Sequence, residues 1–321
     1  MATDEDLTVP TPPVVGADDE ITHALSFVPQ EVGVTKPDAI LTADHVTRSF
    51  GGIRAVDVDH VEFQRGAITA LIGPNGAGKT TFFNLLTGFD RADTGRWDLN
   101  GSIPLANRSA AHVARQGVVR TFQLTKALAR LTVLDNMLLA ARGQRGEGML
   151  GALVRPLWAR QERENAERAR EILARFKLDA KASDFAGSLS GGQRKLLEMA
   201  RALMTDPEII MLDEPMAGVN PALVQTLLGH IQALRDAGKT VIFVEHDMHA
   251  VRHISEWVVV MAEGRIVAEG SARTIMDNQA VVDAYLGARH DVDLGDDSLI
   301  DPEQLAKLTA VRQRDLAEQK G

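Results

Sequence analysis

The stretch GPNGAGKTT at residues 73–81 decides the fold of this chain. It contains the pattern G-x-x-x-x-G-K-[S/T] of a phosphate-binding loop. An apolar run from Ile68 to Ile72 precedes it and indicates a strand, and a helical pattern begins at Lys79. Glycines let backbone N–H groups turn towards a phosphate without Cβ clashes, and the N-terminus of the following helix favours an anion. The stretch therefore predicts a nucleotide site between a strand and a helix.

The side chains of this loop indicate which part of the nucleotide they meet. Lys79 can reach the β- and γ-phosphates of ATP, and the Thr80 hydroxyl is suited to ligate Mg²⁺. A glycine-rich turn that matches by chance is the alternative, and the flanking strand and helix disfavour it. The residues expected to contact the nucleotide are Gly73, Pro74, Asn75, Gly76, Ala77, Gly78, Lys79, Thr80 and Thr81.

A pair of carboxylates follows a second apolar run, IIML at residues 209–212. Neighbouring residues of a strand point to opposite faces, so Asp213 and Glu214 can take different tasks at the strand end. We expect Asp213 to hold Mg²⁺ through water and Glu214 to polarise the attacking water. A strand that ends in a solvated acidic turn is the alternative. The phosphate-binding loop elsewhere in the chain favours the functional interpretation.

The order of the remaining patterns predicts an α/β fold. Continuous apolar runs at 209–212, 241–244 and 257–261 are typical of parallel strands that are buried on both faces. Helical patterns at 191–204, 221–237 and 248–254 alternate with them. Alternation around Val56, Val58 and Val61 indicates further strands, and Glu263-Gly264 predicts the turn of a hairpin. A glycine-rich stretch at 143–151 is expected to form a loop, followed by a charged helix at about 158–176.

Composition limits the domain organisation and the partners. The net charge is −9, and residues 1–38 carry eight acidic residues against one lysine. With its prolines, this extension is predicted to be disordered. The folded domain is expected at 39–287, and the acidic tail at 288–321 is expected to carry a helix from Asp301-Pro302. There is no strongly basic domain to suggest a nucleic acid, no cysteine, no secretory signal and no apolar run long enough to span a membrane.

The pentapeptide LSGGQ at residues 189–193 carries a resemblance to the ATP-binding cassette (ABC) proteins. By itself it also fits a helix start, because Ser190 is a good N-cap. The motifs occur in the family's order over residues 40–287. The resemblance implies that Phe50 stacks on adenine, that Gln123 senses the γ-phosphate and ligates the metal, and that His246 is the switch histidine. Taken singly, these three residues fit a core aromatic, a loop amide and a capping or core histidine.

The resemblance also implies an architecture and a working unit. It implies a P-loop NTPase core with a mostly parallel sheet, an antiparallel β subdomain and an inserted helical subdomain at about 124–188. Two such domains would sandwich two ATP molecules, each lying on one phosphate-binding loop and under the partner's signature. The signature residues concerned are Ser190, Gly191, Gly192 and Gln193.

Shorter matches narrow the class of ABC protein. The segments FGG at 50–52, RTFQ at 120–123, EHDM at 245–248 and AYLG at 284–287 resemble ATPase subunits of branched-chain amino acid importers and of the related urea or short-amide importers. The resemblance implies permease subunits, a second ATPase subunit and, indirectly, an extracytoplasmic solute-binding protein as partners. It also implies a peripheral position at the cytoplasmic face of the plasma membrane. Asn220 departs from the aspartate that is usual in the broad family, as it often does in this importer group.

Three other functions compete with this one. The lipopolysaccharide-export ATPases have a similar core but usually lack the Arg-Thr-Phe-Gln segment. Soluble ABC ATPases of translation carry two cassettes in one chain, and those of DNA repair insert coiled coils or zinc-binding cysteines; neither feature occurs here. A module that binds ATP without hydrolysing it is disfavoured because Lys79, Asp213, Glu214 and His246 are all present.

Overall fold

Two β-sheets organise the computed structural model, which describes residues 17–121, 129–142, 155–275 and 278–287. The central sheet has the strand order β10-β9-β3-β8-β7-β6. All its neighbouring strands are parallel except β10, which pairs antiparallel with β9. Its strands are β3 (Ile68–Ile72), β6 (Val118–Arg120), β7 (Ile209–Asp213), β8 (Thr240–Val244), β9 (Trp257–Ala262) and β10 (Arg265–Ser271).

Both faces of this sheet are covered by apolar groups. In β7, Ile210 and Leu212 pack into one core cluster, whereas Ile209 and Met211 pack into the other. The first cluster is formed with the helices α6 (Gly191–Leu203), α7 (Pro221–Asp236) and α8 (Met248–Ile254). Burial on both faces explains why these strands are continuous apolar runs in the sequence. The predicted α/β core and the Glu263-Gly264 hairpin turn are confirmed.

The second core cluster lies between the central sheet and an antiparallel sheet of order β2-β1-β4-β5. Leu41, Phe63 and Trp97 are fully buried there, together with Phe82 and Phe83 of the helix that follows the phosphate-binding loop. The predicted antiparallel β layer is therefore present. Its elements are β1 (Ala39–Phe50), β2 (Ile53–Gln64), β4 (Thr94–Leu99) and β5 (Ile103–Pro104), with α2 (Lys79–Leu86) and α3 (Ala110–Arg115) nearby in the chain.

The described part of the inserted segment is helical. It contains α4 (Val133–Leu138) and α5 (Arg155–Arg175), and its buried Ala169, Leu173 and Phe176 join the first core cluster. A capping box starts α4, since the Thr132 hydroxyl accepts the Asp135 N–H at 3.0 Å. The predicted loop at 143–151 lies outside the described residues. No helix in the described ranges is long and apolar enough to cross a bilayer.

The prediction of a disordered extension over residues 1–38 is wrong for residues 17–38. They form α1 (Ala17–Ser26) and a segment that packs on the core through the buried Leu25 and Val28. Lys36 is buried as well, and its Nζ lies 2.7 Å from Glu269 Oε2. The acidic, proline-containing composition of residues 17–38 gives no indication of these long-range contacts. Residues 1–16 lie outside the described residues, as do the tail 288–321 and its predicted helix, whereas α9 (Gln279–Gly287) is described.

Candidate nucleotide-binding and catalytic site

The phosphate-binding loop joins the end of β3 to α2, as its sequence predicts. Gly78 is the N-cap residue of α2 with φ 94°. A Cβ atom at Gly78 would lie 2.2 Å from the Ala55 carbonyl oxygen, and one at Gly73 would lie 2.0 Å from the Met261 carbonyl oxygen. These two positions admit only glycine, because backbone from other elements occupies the space of a side chain. The loop is therefore fixed against β2 and β9.

Lys79 lies within this loop and close to both predicted carboxylates. Its Nζ donates to the carbonyl oxygens of Gly73 at 2.7 Å and Pro74 at 2.9 Å. Burial lowers the pKa of Lys79, and the charges of Glu214 and Asp213 oppose this shift. The structure thus brings the phosphate-binding lysine and the carboxylates at the end of β7 into one site.

Asp213 has a partner that sequence analysis did not assign to the site. Arg120, at the end of β6, places its guanidinium 2.5 Å from Asp213 Oδ2, and its other terminal nitrogen donates to Asn84 of α2. The side chains of Arg120 and Asp213 are both less than one-tenth exposed. Parallel pairing of β6 with β7 puts Arg120 opposite Met211, which explains the contact. Only the RTFQ segment at 120–123 hinted at Arg120, as part of a resemblance without a role.

The donor atoms near the loop fit Mg²⁺. Thr80 is exposed at the start of α2, and the ion pair with Arg120 uses only Oδ2 of Asp213, so Oδ1 remains as an oxygen donor. Within the described ranges, no group of three His, Cys, Asp or Glu side chains forms a metal cage. Mg²⁺ prefers oxygen donors and is usually bound by one or two carboxylates together with substrate phosphates. The predicted third ligand, Gln123, lies outside the described residues.

Glu214 has a left-handed backbone, with φ 45°. Its N–H donates to the Val244 carbonyl oxygen at 3.0 Å, so it is tied to the end of β8. A left-handed residue with a Cβ costs roughly 1–2 kcal/mol. Such conformations persist where surrounding contacts fix them, which is frequent at functional sites. The strain coincides with the carboxylate that was expected to polarise water.

His246 and Phe50 are both partly open to solvent. The His246 side chain is 51% exposed, and the N-cap of the following helix α8 is Asp247. His246 is therefore neither a core histidine nor the cap. Phe50 ends β1 and is 47% exposed, with the Arg48 guanidinium 4.4 Å from its ring centre. This exposure removes the core alternative for Phe50 and leaves a ring face accessible to a planar ligand.

The signature pentapeptide starts α6, as predicted. Ser190 is the N-cap, its hydroxyl accepts the Gln193 N–H at 3.2 Å, and the Gln193 side chain accepts the Ser190 N–H at 3.0 Å. Gly192 faces the side chain of Leu223 on α7. Asn220 caps α7, since its side chain accepts the Leu223 N–H at 2.9 Å. These contacts give the signature residues a structural role at the start of α6. Ser190 and Gly191 nevertheless remain exposed, so this helix N-terminus can also bind an anion.

Tyr285 of α9 is a second residue near the site that sequence reasoning did not place. Burial raises the pKa of the Tyr285 hydroxyl, which lies beside the backbone of Gly73 without a well-formed hydrogen bond. The AYLG segment that contains it was noted only as part of a family resemblance. Tyr285 places α9 next to Gly73 at the start of the phosphate-binding loop.

Fold and site together define a nucleotide-hydrolysing domain of the phosphate-loop class. Comparison with known proteins narrows this class. Residues 56–217 match the family model described as ABC transporter, and residues 265–291 match the model described as branched-chain amino acid ATP-binding cassette transporter. The chain belongs to the ABC transporter family and is an ATP-binding, ATP-hydrolysing transport subunit.

Individual relatives agree with this assignment. A probable branched-chain amino acid transport ATP-binding protein of Archaeoglobus fulgidus is 40% identical over 250 residues, which cover 78% of this chain and 96% of the relative. An ATP-binding cassette of an ABC transporter, solved as a crystal structure of its ADP conformation, is 37% identical in sequence to this chain and superposes with a TM-score of 0.68. The match covers 78% of this chain and 99% of that cassette. A dimeric bacterial ABC transporter cassette is 25% identical, with a TM-score of 0.60, over 73% of this chain and 99% of its own.

Proposed function

We propose that this chain powers the uptake of branched-chain amino acids, or of a related small polar solute, through an ABC importer. The observation that carries this proposal is the match of residues 265–291 to the branched-chain amino acid cassette model, outside the general ABC match at 56–217. The relative from Archaeoglobus fulgidus supports it by its name. Tyr285 lies within the matched segment, and its hydroxyl lies beside the backbone of Gly73, so this segment adjoins the phosphate-binding loop.

The site residues divide the hydrolysis of ATP among them. The loop 73–81 and the helix N-terminus of α2 hold the phosphates, and Lys79 compensates their charge. Thr80, Asp213 and Gln123 would hold Mg²⁺, which would stabilise the charge on the phosphoryl oxygens when bound. Glu214 orients and activates the attacking water, and His246 contacts the γ-phosphate. The proximity of Glu214, Asp213 and Lys79 in the structure supports this division.

A dimer completes each ATP site in this proposal. Ser190, Gly191, Gly192 and Gln193 would cover the γ-phosphate that the partner's loop holds. An exposed serine with the free N–H groups of a helix N-terminus suits that task. ATP then holds the two cassettes together, and hydrolysis allows them to part. The dimeric cassette among the structural relatives supports such a pairing.

We expect the partner cassette to be a different chain and the pair to dock on two permeases at the cytoplasmic face of the membrane. The helical subdomain, about 124–188, would receive a short cytoplasmic helix of the permease, with Gln123 at its entrance. Leu139 and Phe185 support this position, since they are large apolar side chains that are 58% and 61% exposed. The solute-binding protein would act on this chain only through the permeases.

Reconstitution of the whole importer tests this assembly. Expressed alone, the chain should be largely monomeric with weak ATPase activity. With a second cassette, the permeases and the binding protein in proteoliposomes, ATPase activity should rise when labelled leucine, isoleucine or valine is supplied, and the label should enter the vesicles. Measuring the same response to urea and acetamide distinguishes the related solutes. A robust, substrate-stimulated homodimer of this chain would contradict the heterodimer, and no response to any of the three amino acids would contradict the substrate class.

Phe50 is expected to bind adenine by stacking. Because Arg48 covers one face of the ring, the base would use the other face. Replacing Phe50 with alanine should raise the KM for ATP about tenfold, since base stacking on an aromatic is worth roughly 1–3 kcal/mol. Phe50→Tyr, which keeps the ring, should leave the KM near wild-type. Ile53→Ala is a matched control on the opposite strand, because Ile53 is 75% exposed and pairs with Phe50. An unchanged KM in Phe50→Ala would exclude this role.

A further inference from the structure

Two charged side chains that take no part in the proposed reaction form hydrogen bonds with the backbone at and after Glu214. The first is Lys195, on the helix α6 that Ser190 caps. Its Nζ donates to the carbonyl oxygens of Glu214 and Pro215, each at 3.0 Å. Lys195 thus links α6, the signature helix that begins at Ser190, directly to the end of β7, which Glu214 follows.

The second is Glu245, which precedes His246 in the chain and is 1% exposed. Its Oε1 accepts the Met216 N–H at 2.9 Å, and its Oε2 accepts the His246 N–H at 3.2 Å. One carboxylate therefore spans the loop that follows Glu214 and the loop that carries the switch histidine. Glu245 is among the least exposed carboxylates of the described residues.

Burial disfavours the charged form of both side chains, fully for Glu245 and in part for the half-buried Lys195. Burial lowers the pKa of Lys195, opposed by nearby carboxylates, and it raises the pKa of Glu245, opposed by the N–H donors of Met216 and His246. Buried charges are retained only where strong, well-directed hydrogen bonds compensate their desolvation. Bonds with an ionised partner are shorter and stronger than neutral ones, so they suit a loop that must not shift.

The loop after β7 contains a strained residue, which surrounding contacts must stabilise. Glu214 is in the left-handed conformation with φ 45°, and its N–H is tied to Val244 at the end of β8. Its carbonyl oxygen is held by Lys195, and the backbone N–H of Met216 is held by Glu245. Without these contacts, relaxation of the strained residue would turn the Glu214 carboxylate away from its present direction.

We propose that Lys195 and Glu245 are positioning residues for hydrolysis, which hold Glu214 and His246 at a fixed separation through the backbone. This inference rests on the proposed catalytic roles of Glu214 and His246. Because Lys195 lies on the signature helix, a shift of that helix moves the Glu214 carbonyl. The signature that covers the partner's ATP is in this way linked to the base of the chain's own site.

The test measures kcat and KM for MgATP in the assembled importer, together with the Kd of a non-hydrolysable ATP analogue. Glu245→Gln keeps the shape but replaces one acceptor oxygen by a donor, and Lys195→Met keeps the stem but removes the donor. Both should lower kcat by about tenfold to a hundredfold, since a misplacement of about 1 Å can cost about 10² in rate. KM and Kd should stay within about twofold. Lys195→Arg, which can still donate to both carbonyls, should recover most of kcat.

Glu256→Gln is the matched control. Glu256 is another buried carboxylate whose pKa is raised by burial, and it accepts the Ile68 N–H at 2.6 Å, next to β9 and away from Glu214. The Glu256→Gln variant should have a lower melting temperature than the wild-type protein but an unchanged kcat. A kcat within about twofold of wild-type in Glu245→Gln and Lys195→Met, or an equal loss in Glu256→Gln, would overturn the inference. Glu214→Gln in the same assay separates the two claims, because full activity of that variant removes the proposed catalytic role itself.

Discussion

Replacing Glu214 with glutamine is expected to slow steady-state ATP hydrolysis by about 10²–10⁴-fold, the usual loss when a general base is removed. Glutamine has the same shape, so the loop after β7 should keep its conformation and ATP should still bind. The amide cannot accept the proton of the attacking water. Because the ATP that joins the two cassettes is no longer consumed, the closed dimer should also accumulate.

The measurement is ATPase activity of the assembled importer, and the dimer population of the two cassettes without permeases is followed by size-exclusion chromatography in MgATP. Glu208→Gln is a suitable control, since Glu208 precedes the same strand β7 at its opposite end and its side chain is 49% exposed. It should leave both readouts near wild-type. Near-normal turnover of Glu214→Gln would exclude Glu214 as the base, and slow turnover without accumulation of the dimer would contradict the proposal that ATP joins the two cassettes.

Local chemistry made much of the site predictable from the sequence. The phosphate-binding loop, the strand end at Asp213-Glu214 and the helix start at Ser190 each combine a turn or cap signal with an apolar run next to it. The buried parallel strands were predictable for the same reason, because their apolar runs contain no alternation. In each case the information lies within a few consecutive residues.

Contacts between distant parts of the chain were not predictable in this way. Arg120 meets Asp213 because β6 lies beside β7, and Lys36 meets Glu269 because the N-terminal segment lies against the edge strand β10 of the central sheet. A single sequence carries no period or cap signal for such pairs. The disordered extension was predicted for this reason, since its acidic composition was visible and the burial of Lys36 was not.

Alanine in place of Gly78 should strongly weaken ATP binding. The backbone at Gly78 has φ 94°, and an added Cβ would lie 2.2 Å from the Ala55 carbonyl oxygen and 3.3 Å from the Gly264 Cα. Both neighbours are backbone atoms of β2 and of the β9–β10 turn, so neither can rotate away. The loop itself must move, and Lys79, which follows Gly78 directly, must move with it.

Gly76 provides the comparison that separates strain from collision. It also has a positive φ, 80°, but an added Cβ would meet nothing within 4 Å. Gly76→Ala should therefore cost only the left-handed strain of roughly 1–2 kcal/mol. Gly78→Ala should cost this and about 1–3 kcal/mol more for overpacking. At 1.4 kcal/mol for each factor of ten, the second variant should bind ATP about tenfold to a hundredfold more weakly than the first. Calorimetric titration of both variants with MgATP measures the difference, and equal affinities would show that the approach of Ala55 to Gly78 does not hold the phosphate-binding loop in place.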